Sequence, residues 1–451
     1  MPQPPSAASR DETVIRDGGD ACPGALRLHA ADDGFLARVR IPGGELTARQ
    51  ASLLALAADR FGDGHLELTS RGNVQLRGLA EGCGAGLARL LDAAGLLPAP
   101  GHERVRNIVA TPMSGLGQAG RPDVLPWVHE LDRMLCANAR VTALSGRFLF
   151  AFDDGRGDVA ALEPDVTVLA RSQEREQALV RLGPAAGAVA VAAQDAPRAA
   201  LLAAEYFLDA VDAAGTRAWR VRELPAEHAL DDAEFAVRLA AAGIDAVQVP
   251  DVEWPYAPPP LPQSGGAGLR GTLCVLPPLG RMTSDQWRVL VQVADRGRGM
   301  RITPWRTIVL PDAPVRRPIN GPARLESAGL VLSPDGPWQS VTACTGRPGC
   351  AKSLADVRAD AQAAVERSRG PLPVHWSGCE RRCGHPRGTE WVDVVATGDG
   401  YRLSAHGQPV PRHADLAASL TAAREQHPGR APAATQQHLS STSESEDAVK
   451  K

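Results

Sequence analysis

Lysine is nearly absent from this chain of 451 residues. It occurs only at Lys352, Lys450 and Lys451, so arginine supplies 46 of the 49 basic side chains. Arginine keeps its charge when it is buried and cannot release a proton near neutral pH, whereas a lysine can be tuned to do so. Chemistry that consumes protons therefore lacks its usual lysine donor over almost the whole chain.

Long apolar runs and a strong net charge are missing as well. Stretches such as residues 187–193 are far shorter than the roughly 20 residues that cross a bilayer. Residues 1–20 contain no apolar core of the kind that marks a secretory signal. The 49 basic and 52 acidic side chains nearly cancel, which leaves no overall field for nucleic acid or an acidic membrane. We expect a cytoplasmic protein that binds neither.

An internal repeat organises the chain, whose 451 residues are about three times the usual domain length. Residues 42–50, PGGELTARQ, are echoed by residues 278–286, PLGRMTSDQ. In each copy, apolar residues at helical spacing follow, then a Gly-x-Gly turn and a strand with alternating side chains. The pattern predicts two β-loop-α-turn-β units. Because each is too small to bury a sheet face alone, we expect the two to pack together.

The rest of the chain divides around these two units. Residues 100–250 mix strand-like runs with a long helix predicted near residues 196–213, and residues 257–268, rich in proline and glycine, predict a linker. The full predicted order is a flexible N-terminus at 1–20, a half-domain at 21–90, an α+β domain at 100–250, the linker at 257–268, a second half-domain at 270–325, a cysteine-bearing domain at 335–425 and a disordered tail at 426–451. The predicted fold class is α+β, in two pseudo-repeated halves.

Four of the eight cysteines have the spacing of a metal site. Eight cysteines in a long chain without a secretory signal favour metal or redox chemistry over a disulfide framework. Two pairs, C-x5-C and C-x3-C, predict a 4Fe-4S cluster bound by Cys344, Cys350, Cys379 and Cys383. A four-cysteine zinc site is the alternative, although the cysteines of each zinc-binding pair are usually separated by about two to four residues. The remaining cysteines, predicted to be buried or idle thiols, are Cys22, Cys83, Cys136 and Cys274.

The cysteine motif and the duplicated unit together resemble the nitrite/sulfite reductase superfamily, over about residues 20–425. The resemblance implies two ferredoxin-like half-domains plus two larger α+β domains. It also implies that in the reductases the cysteine matching Cys383 ligates the iron of siroheme as well as the cluster. Residues 69–75, TSRGNVQ, match the superfamily's Thr-x-Arg-x-x-x-Gln pattern. By this resemblance, the carboxylates of a tetrapyrrole or a small anion are bound by Arg71, Arg77, Arg106, Asn107 and Arg147. Surface or structural ion pairs are the alternative for the first three arginines.

One branch of the superfamily fits better than the reductases. Where siroheme reductases carry Pro-Arg-Lys-Phe-Lys or a similar segment, this chain has LSGRFLF at residues 144–150, with no lysine to bind an anion or supply protons. That segment and the CPGALR start at residues 22–27 are similar to the precorrin-3B synthase family. The resemblance implies an O2-dependent monooxygenation of precorrin-3A at C20 with γ-lactone formation, a step of aerobic cobalamin biosynthesis.

Cofactors and partners follow from the same resemblance. A reduced 4Fe-4S cluster would pass electrons to an O2-activating centre, for which a mononuclear non-heme iron is a candidate without identified ligands. No Gly-x-Gly-x-x-Gly follows a predicted strand, so a separate reductase or ferredoxin, with NAD(P)H as the indirect source, is expected to supply the electrons. Two alternatives stay open: a siroheme-dependent sulfite or nitrite reductase, and a non-catalytic four-cysteine zinc module.

Overall fold

The structure is a computed structural model that describes residues 20, 22–116, 121–171, 176–264, 268–368, 370–386, 390–410 and 415–425. The predicted flexible N-terminus, apart from Asp20, and the predicted disordered tail lie outside these residues. The α-helices of the described part are α1 (Ala48–Phe61), α2 (Gly84–Ala93), α3 (Leu125–Ala137), α4 (Ala196–Ala214), α5 (Asp232–Ala241), α6 (Ser284–Ala294), α7 (Gly321–Ser327), α8 (Val357–Val365) and α9 (Leu416–Glu425). Its strands are β1 (His29–Ala31), β2 (Gly34–Val39), β3 (Glu45–Leu46), β4 (His65–Leu68), β5 (Val74–Leu79), β6 (Ile108–Ala110), β7 (Phe150–Asp153), β8 (Val166–Ala170), β9 (Gln177–Leu182), β10 (Ala188–Ala192), β11 (Ala246–Val249), β12 (Gln263–Ser264), β13 (Arg270–Val275), β14 (Arg281–Thr283), β15 (Met300–Ile302), β16 (Ile308–Pro314), β17 (Val341–Ala343), β18 (Val374–Ser377), β19 (Val392–Thr397), β20 (Gly400–Ala405) and β21 (Gln408–Pro409).

The described strands form four sheets. The first, β1-β2-β5-β4-β14, and the third, β12-β13-β16-β15-β3, belong to the two repeated units. The second, β11-β10-β9-β8-β7-β6, and the fourth, β17-β18-β19-β20-β21, belong to the two larger domains. This confirms the predicted duplicated α+β architecture. Part of the predicted linker is itself a strand, because β12 pairs with β13 at the edge of the third sheet.

The two half-domains are interlocked. Strand β3 of the first pairs with β15 of the second, and β14 of the second pairs with β4 of the first. Helices α1 and α6 start with the same Thr-x-x-Gln capping box, at Thr47 and at Thr283. The helices pack together around Trp287, whose Nε1 donates to the Ala51 carbonyl oxygen across 2.8 Å. Each unit thus covers the apolar face that the other cannot bury alone.

Alternating side chains separate an apolar face of the first sheet from a polar one. Val39 and Val74 lie in the core shared with α1. The opposite face carries a row of cross-strand polar neighbours, in the order Arg38, Gln75, Glu67 and Arg281. The cysteine-bearing domain lies against this face, where Arg358 Nη1 is 2.5 Å from Glu67 Oε1. The polar face is therefore an interface between domains.

The second sheet is covered by helices on one face. The long helix predicted near residues 196–213 is confirmed as α4, and it packs with α3 and α5 against this sheet. Strands β6, β7 and β8 run parallel, so their carboxyl ends share one edge. No helix of the described residues has the length and apolar character needed to cross a membrane.

Candidate functional site

Two parallel strands bring the cysteine motifs to one edge of the fourth sheet. Cys344 directly follows β17, and Cys379 lies two residues beyond β18. Parallel neighbours end at the same edge, so the two motifs meet there. The Cys344 N–H donates to the Trp376 carbonyl oxygen across 2.9 Å, and the Gly378 N–H donates to Cys344 Sγ across 3.2 Å.

The second motif has no room for a side chain at Gly378. A Cβ at this position would lie 1.8 Å from Ser353 Oγ. Ser353 in turn belongs to the first motif, because its N–H donates to the Cys350 carbonyl oxygen. Glycine therefore permits the close approach that brings the two cysteine pairs together.

The four motif cysteines are the predicted donors of the cluster. None of them is in a disulfide. Burial raises the pKa of Cys383, and the charges of Cys344, Cys379 and Cys350 raise it further, so the sulfurs act on one another electrostatically. Among the described residues, no three His, Cys, Asp or Glu side chains come together as ligands of a single metal ion. In number and type the four thiols fit an iron–sulfur cluster, whose iron would offset their mutual repulsion.

His375, buried in β18, supports the second cysteine loop. Its Nε2 lies 3.2 Å from the Cys383 carbonyl oxygen, and its Nδ1 lies 2.8 Å from Thr342 Oγ1. Burial, and then the charge of Arg306, lower the pKa of His375 to about 4, so the imidazole is neutral at neutral pH. A neutral ring donates from one nitrogen only, so Nε2–H donates to the Cys383 carbonyl and Nδ1 accepts from the threonine. His375 thus orients the backbone at a candidate cluster ligand.

An arginine-rich cavity of about 420 Å³ lies between the first half-domain and the domain of the second sheet. Its remaining lining residues include Cys22, Thr69 and Glu223, and no lysine. We call this space the arginine cavity; its arginines are Arg38, Arg40, Arg71, Arg147, Arg220 and Arg222.

Burial and mutual repulsion act on Arg40 and Arg71 in the arginine cavity, whereas Arg220 and Arg222 are already paired with Asp165 and Glu163. Arg40 is 2% exposed, and its pKa falls to about 9 through burial and then through the charge of Arg38. The pKa of Arg71 falls to about 10 through burial and then through the charge of Arg220. Arg40 Nη1 is buried without a hydrogen-bond partner in the described part of the chain. A bound carboxylate would supply both a negative charge and acceptors, so the cavity has the character of a carboxylate site.

Two of the predicted ligand-binding residues line the arginine cavity. Arg71 Nη1 donates to the Gly146 carbonyl oxygen across 3.1 Å. The Arg147 guanidinium lies over the Trp219 ring, with 4.6 Å between its central carbon and the ring centre. Stacking on an indole fixes the plane of the guanidinium, which prepares it to bind a flat carboxylate.

Arg77 does not line the arginine cavity but joins the first half-domain to a cysteine motif. It donates to both oxygens of Asp33, across 2.9 and 2.8 Å, and to the Gly349 carbonyl oxygen across 2.9 Å. Gly349 precedes Cys350, so Arg77 stabilises the first motif. These contacts, made by Nε and Nη2, are of the kind that the structural ion-pair alternative describes.

Arg106 and Asn107 also lie outside the lining of the arginine cavity. Arg106 donates to both oxygens of Asp132, across 2.6 and 2.7 Å, and is almost fully buried. Asn107 is fully buried, and its Nδ2 donates to the Phe148 carbonyl oxygen across 3.0 Å. Both side chains are thus engaged in contacts within the protein, and the carboxylate-binding role that the resemblance implied for them stays a prediction.

Sequence reasoning did not single out four of the six cavity arginines. Two of them carried a signal: Arg38 and Arg40 alternate with Val39 at the end of β2, which places both on the polar face. Arg220 and Arg222 carried none, because they join the cavity from a segment about 180 residues further along the chain and only the packing of the domains brings them near.

Cys22, predicted to be buried or idle, also lines the arginine cavity. Asp20 holds its segment there, because Asp20 Oδ2 accepts from the Gly146 N–H across 2.7 Å. The thiol therefore faces a polar cavity and does not lie in an apolar core, which corrects the prediction of a buried thiol.

A hydrogen-bonded path connects the arginine cavity with the cysteine motifs. Arg38 Nη2 donates to Gln75 Oε1, and Gln75 Nε2 donates to Glu67 Oε2, each across 3.0 Å. Glu67 Oε1 accepts from Arg358 Nη1 across 2.5 Å, and Arg358 Nε donates to the Cys344 carbonyl oxygen across 3.3 Å. The cavity and the cysteine edge thus belong to one continuous polar region.

Asp158 is a buried carboxyl outside the arginine cavity. Its Oδ1 accepts from Thr111 Oγ1 across 2.8 Å and from the Val159 N–H across 2.7 Å. Burial, and then the charge of Asp153, raise the pKa of Asp158 to about 7. An unfolded aspartate ionises near about pH 4. Between about pH 4 and 7 the folded protein therefore holds a proton that the unfolded chain has lost, and stability falls as pH rises through this window.

The Asp158→Asn variant is expected to lose most of this pH dependence. The amide keeps the oxygen that accepts from Thr111 but carries no charge. Above pH 7 it should therefore be more stable than the wild type by a few kcal/mol, from about three pKa units at roughly 1.36 kcal/mol each. Thermal unfolding midpoints at pH 5 and pH 8 measure the effect, with the exposed Asp92→Asn as control. If the stability of the wild type and of Asp158→Asn depended equally on pH, the raised pKa of Asp158 would be contradicted.

Comparison with known proteins finds the repeated unit in a described family. The sequence profile of the nitrite/sulfite reductase ferredoxin-like half domain matches residues 28–94 and, a second time, residues 264–316. A precorrin-3B synthase from Sinorhizobium sp is 28% identical over 404 residues, which cover 88% of this chain and 84% of that protein. A ferredoxin–nitrite reductase from Synechococcus elongatus is 26% identical over 394 residues, which cover 78% of this chain and 74% of the reductase.

The fold agrees with a solved structure. The Mycobacterium tuberculosis NirA protein superposes with a TM-score of 0.64 at 18% sequence identity, covering 86% of this chain and 79% of that chain. The two profile matches coincide with the two interlocked half-domains. In its duplicated half-domain, its fold and its long alignments, the chain is similar to proteins of the nitrite/sulfite reductase superfamily.

Proposed function

We propose that this chain is an oxidoreductase that acts on a carboxylate-rich tetrapyrrole, and that its reaction is that of a precorrin-3B synthase. The observation that carries the proposal is the arginine cavity, with six arginines, a buried donor without a partner and no lysine in its lining. Precorrin-3A carries acetate and propionate groups around its ring, and carboxylates match guanidinium donors. The Sinorhizobium relative, which has this name and aligns with most of the chain, supports the assignment.

The proposed cofactor is a 4Fe-4S cluster held by Cys344, Cys350, Cys379 and Cys383. It would supply two electrons, one at a time, for the reduction of O2, so that one oxygen atom would enter the ring at C20 as the γ-lactone forms and the other would leave as water. The chain's own residues fix the ligand backbone: His375 binds the Cys383 carbonyl, and Arg358 binds the Cys344 carbonyl. We assign no residue to a separate mononuclear iron.

Substrate binding is proposed to depend on Arg40, Arg71 and Arg147. Each guanidinium can bind a carboxylate through two parallel N–H donors and stays charged when water is excluded. Arg40 contributes a buried donor that lacks a partner, and Arg147 contributes a plane already oriented on Trp219. Together they would hold a carboxylate-bearing edge of the tetrapyrrole in the arginine cavity. The cysteine motifs lie at the other end of the hydrogen-bonded path that runs from Arg38 to Cys344.

A siroheme-dependent nitrite or sulfite reductase is the second candidate, because a nitrite reductase aligns over a comparable length. Such a reduction consumes many protons, and arginine cannot supply them at neutral pH. No lysine lines the arginine cavity. This lining favours the oxygenase over the reductase.

The proposed electron donor is a ferredoxin or a separate reductase, with NAD(P)H as the indirect source and the cytoplasm as the compartment. A ferredoxin is named in the Synechococcus relative. Cys383 is exposed, so a cluster bound there would lie close to the protein surface. A docked donor would then transfer electrons over a short distance.

Arg71→Gln and Arg147→Gln are each expected to weaken the binding of a polycarboxylate tetrapyrrole by about tenfold or more. A hydrogen bond to a charged group contributes about 1.5–3 kcal/mol, and each tenfold change corresponds to about 1.4 kcal/mol. Quenching of uroporphyrin fluorescence by the holoprotein measures the affinity. Arg288→Gln on α6 makes the same charge change at an exposed site away from the cavity and should bind like the wild type. Equal affinities for all four proteins would refute a carboxylate site in the arginine cavity.

The reaction itself is tested on the purified wild type. An anaerobic absorption and EPR spectrum, with iron, sulfide, zinc and tetrapyrrole quantified, separates the candidates. Iron–sulfur absorption without siroheme, followed by conversion of precorrin-3A with O2 to an oxygenated lactone, would establish the proposed function. Siroheme bands would favour the reductase, and zinc without iron would leave the four-cysteine zinc module.

A further inference from the structure

Cys22 is held in the wall of the arginine cavity, and the function proposed above does not use it. Asp20 Oδ1 accepts from the Cys22 N–H across 2.9 Å, while Asp20 Oδ2 accepts from the Gly146 N–H across 2.7 Å. A Cβ at Gly146 would lie 3.0 Å from Cys22 Cβ, so the cysteine packs directly on that backbone. The thiol is partly exposed and forms no disulfide. It is therefore fixed in position and still reachable from the cavity.

Apart from the carboxylates of Asp20 and Glu223, the charged groups around this thiol are arginines, which favour an anionic reaction partner. Burial lowers the pKa of Arg38, Arg40 and Arg71, and the charge of Cys22 counteracts that effect in each of the three, which places all three guanidinium groups near the sulfur. Independently of the thiol, Arg40 is 2% exposed and its buried Nη1 has no hydrogen-bond partner among the described residues. A reagent with carboxylates would satisfy these donors while its reactive group meets the sulfur.

The other cysteines outside the motifs lack this setting. Burial raises the pKa of Cys83 and of Cys136, and the charge of Asp132 raises that of Cys136 further. Cys274 is fully buried, and burial raises its pKa to about 12. None of the three lines the arginine cavity.

We propose that Cys22 is a site of reversible modification by low-molecular-weight disulfides that carry carboxylates, and that the adduct closes the arginine cavity to its tetrapyrrole. The second half of this proposal rests on the cavity being the substrate site assigned above. A peptide disulfide of the glutathione type has the required chemistry, with carboxylates for the arginines and an S–S bond for the thiol. Substrate binding would then respond to the thiol–disulfide state of the surroundings while the four motif cysteines stay unmodified.

The exchange balances without a further reagent. Cys22 loses its proton to solvent, and its sulfur attacks one sulfur of the disulfide. The S–S bond of the reagent breaks as the new S–S bond to Cys22 forms, and the departing thiolate takes up a proton. One disulfide and one thiol are consumed and one of each is formed, so a small thiol in excess reverses the reaction.

Oxidised glutathione and cystamine test the charge dependence, since the first disulfide is anionic and the second is cationic. The anaerobic holoprotein is treated with each, and modification of Cys22 and Cys136 is followed by peptide mass spectrometry. For each cysteine, the rate of modification by oxidised glutathione is divided by the rate with cystamine. The fraction of that cysteine present as thiolate affects both rates equally and so cancels. We expect the anionic-to-cationic ratio at Cys22 to exceed that at Cys136 by about tenfold or more, and to decrease in Arg147→Gln, because a cationic cavity concentrates anions.

The effect on the cavity is tested with uroporphyrin. Bound uroporphyrin should slow the modification of Cys22, and glutathionylated protein should bind uroporphyrin about tenfold more weakly or worse until dithiothreitol restores it. Glutathione treatment should leave the uroporphyrin affinity of Cys22→Ser unchanged.

Equal charge ratios at Cys22 and Cys136, or an unchanged uroporphyrin affinity after complete modification of Cys22, would overturn the proposal. If the untreated protein does not bind uroporphyrin, the assignment of the arginine cavity as a tetrapyrrole site is refuted. The proposal that the Cys22 adduct blocks this site is then refuted as well. The charge ratio at Cys22 then still decides whether the thiol is a modification site.

Discussion

Purified Cys379→Ser protein is expected to lack most of the iron and acid-labile sulfide of the wild type, together with its broad visible absorption. A serine hydroxyl is a poor substitute for the soft thiolate that iron–sulfur clusters require, so one corner of the cluster would lose its anchor. Cys379 lies directly after Gly378, whose N–H donates to Cys344 Sγ, so the two motifs depend on this loop. Iron and sulfide assays, with EPR of the reduced protein, measure the loss.

Cys136→Ser is the matched control for this experiment. Cys136 is a partly buried cysteine on α3, outside both motifs, and its replacement should leave iron and sulfide at the wild-type level. Undiminished iron in Cys379→Ser would remove this residue from the ligand set. A wild-type protein with zinc and no iron would overturn the cluster assignment as a whole.

Trp287→Ala is expected to destabilise the folded protein by about 3–5 kcal/mol, the usual range for removing a large buried aromatic side chain. Trp287 is fully buried in the core that both half-domains share, and its Nε1 donates to the Ala51 carbonyl oxygen. The substitution leaves a cavity between α1 and α6 and also an acceptor without its donor. Because β3 and β14 are exchanged between the halves, both half-domains should unfold together.

Two controls separate packing from the hydrogen bond. Trp287→Phe keeps an aromatic ring but removes the donor. We expect it to lower the free energy of unfolding by less than Trp287→Ala does, with about 1 kcal/mol of the loss due to the missing hydrogen bond. Leu56→Ala, on the exposed side of α1, should change stability by less than about 0.5 kcal/mol. Urea unfolding measures the free energy of unfolding of each variant. Hydrogen exchange during unfolding shows whether the first and second half-domains unfold together or separately. Unfolding of the second half-domain alone in Trp287→Ala would contradict a shared core.

The duplicated turn has the same hydrogen bonds in both halves but carries different side chains. Thr69 and Thr303 each accept, through Oγ1, the N–H groups of the residues two and four positions later. The residue two positions later is Arg71 in the first half, where it lines the arginine cavity. In the second half it is Trp305, which packs against an apolar face of the second sheet. The same backbone turn therefore supplies a cavity-lining cation in one copy and a packing residue in the other.

The predicted carboxylate-binding residues show where inference from sequence stops. The family resemblance assigned similar roles to Arg71, Arg77 and Arg106, but Asp33 and Asp132 neutralise the last two. The two acidic partners lie 44 and 26 residues away along the chain, and nothing local marks them as partners. Whether a guanidinium is available for a ligand is decided by its acidic neighbours in space, so it requires the packed structure.

The amino-acid sequence by itself determined the repeated units, the long helix α4 and the four candidate cluster ligands. Capping boxes, apolar spacing and cysteine spacing are patterns of neighbouring residues, which local backbone geometry turns into structure. Only the tertiary structure decided the exchange of β3 and β14 and the choice of six arginines, among 46, that share one cavity. Arginine side chains are identical in sequence, and the packing of the domains on the polar face of the first sheet selects which of them meet.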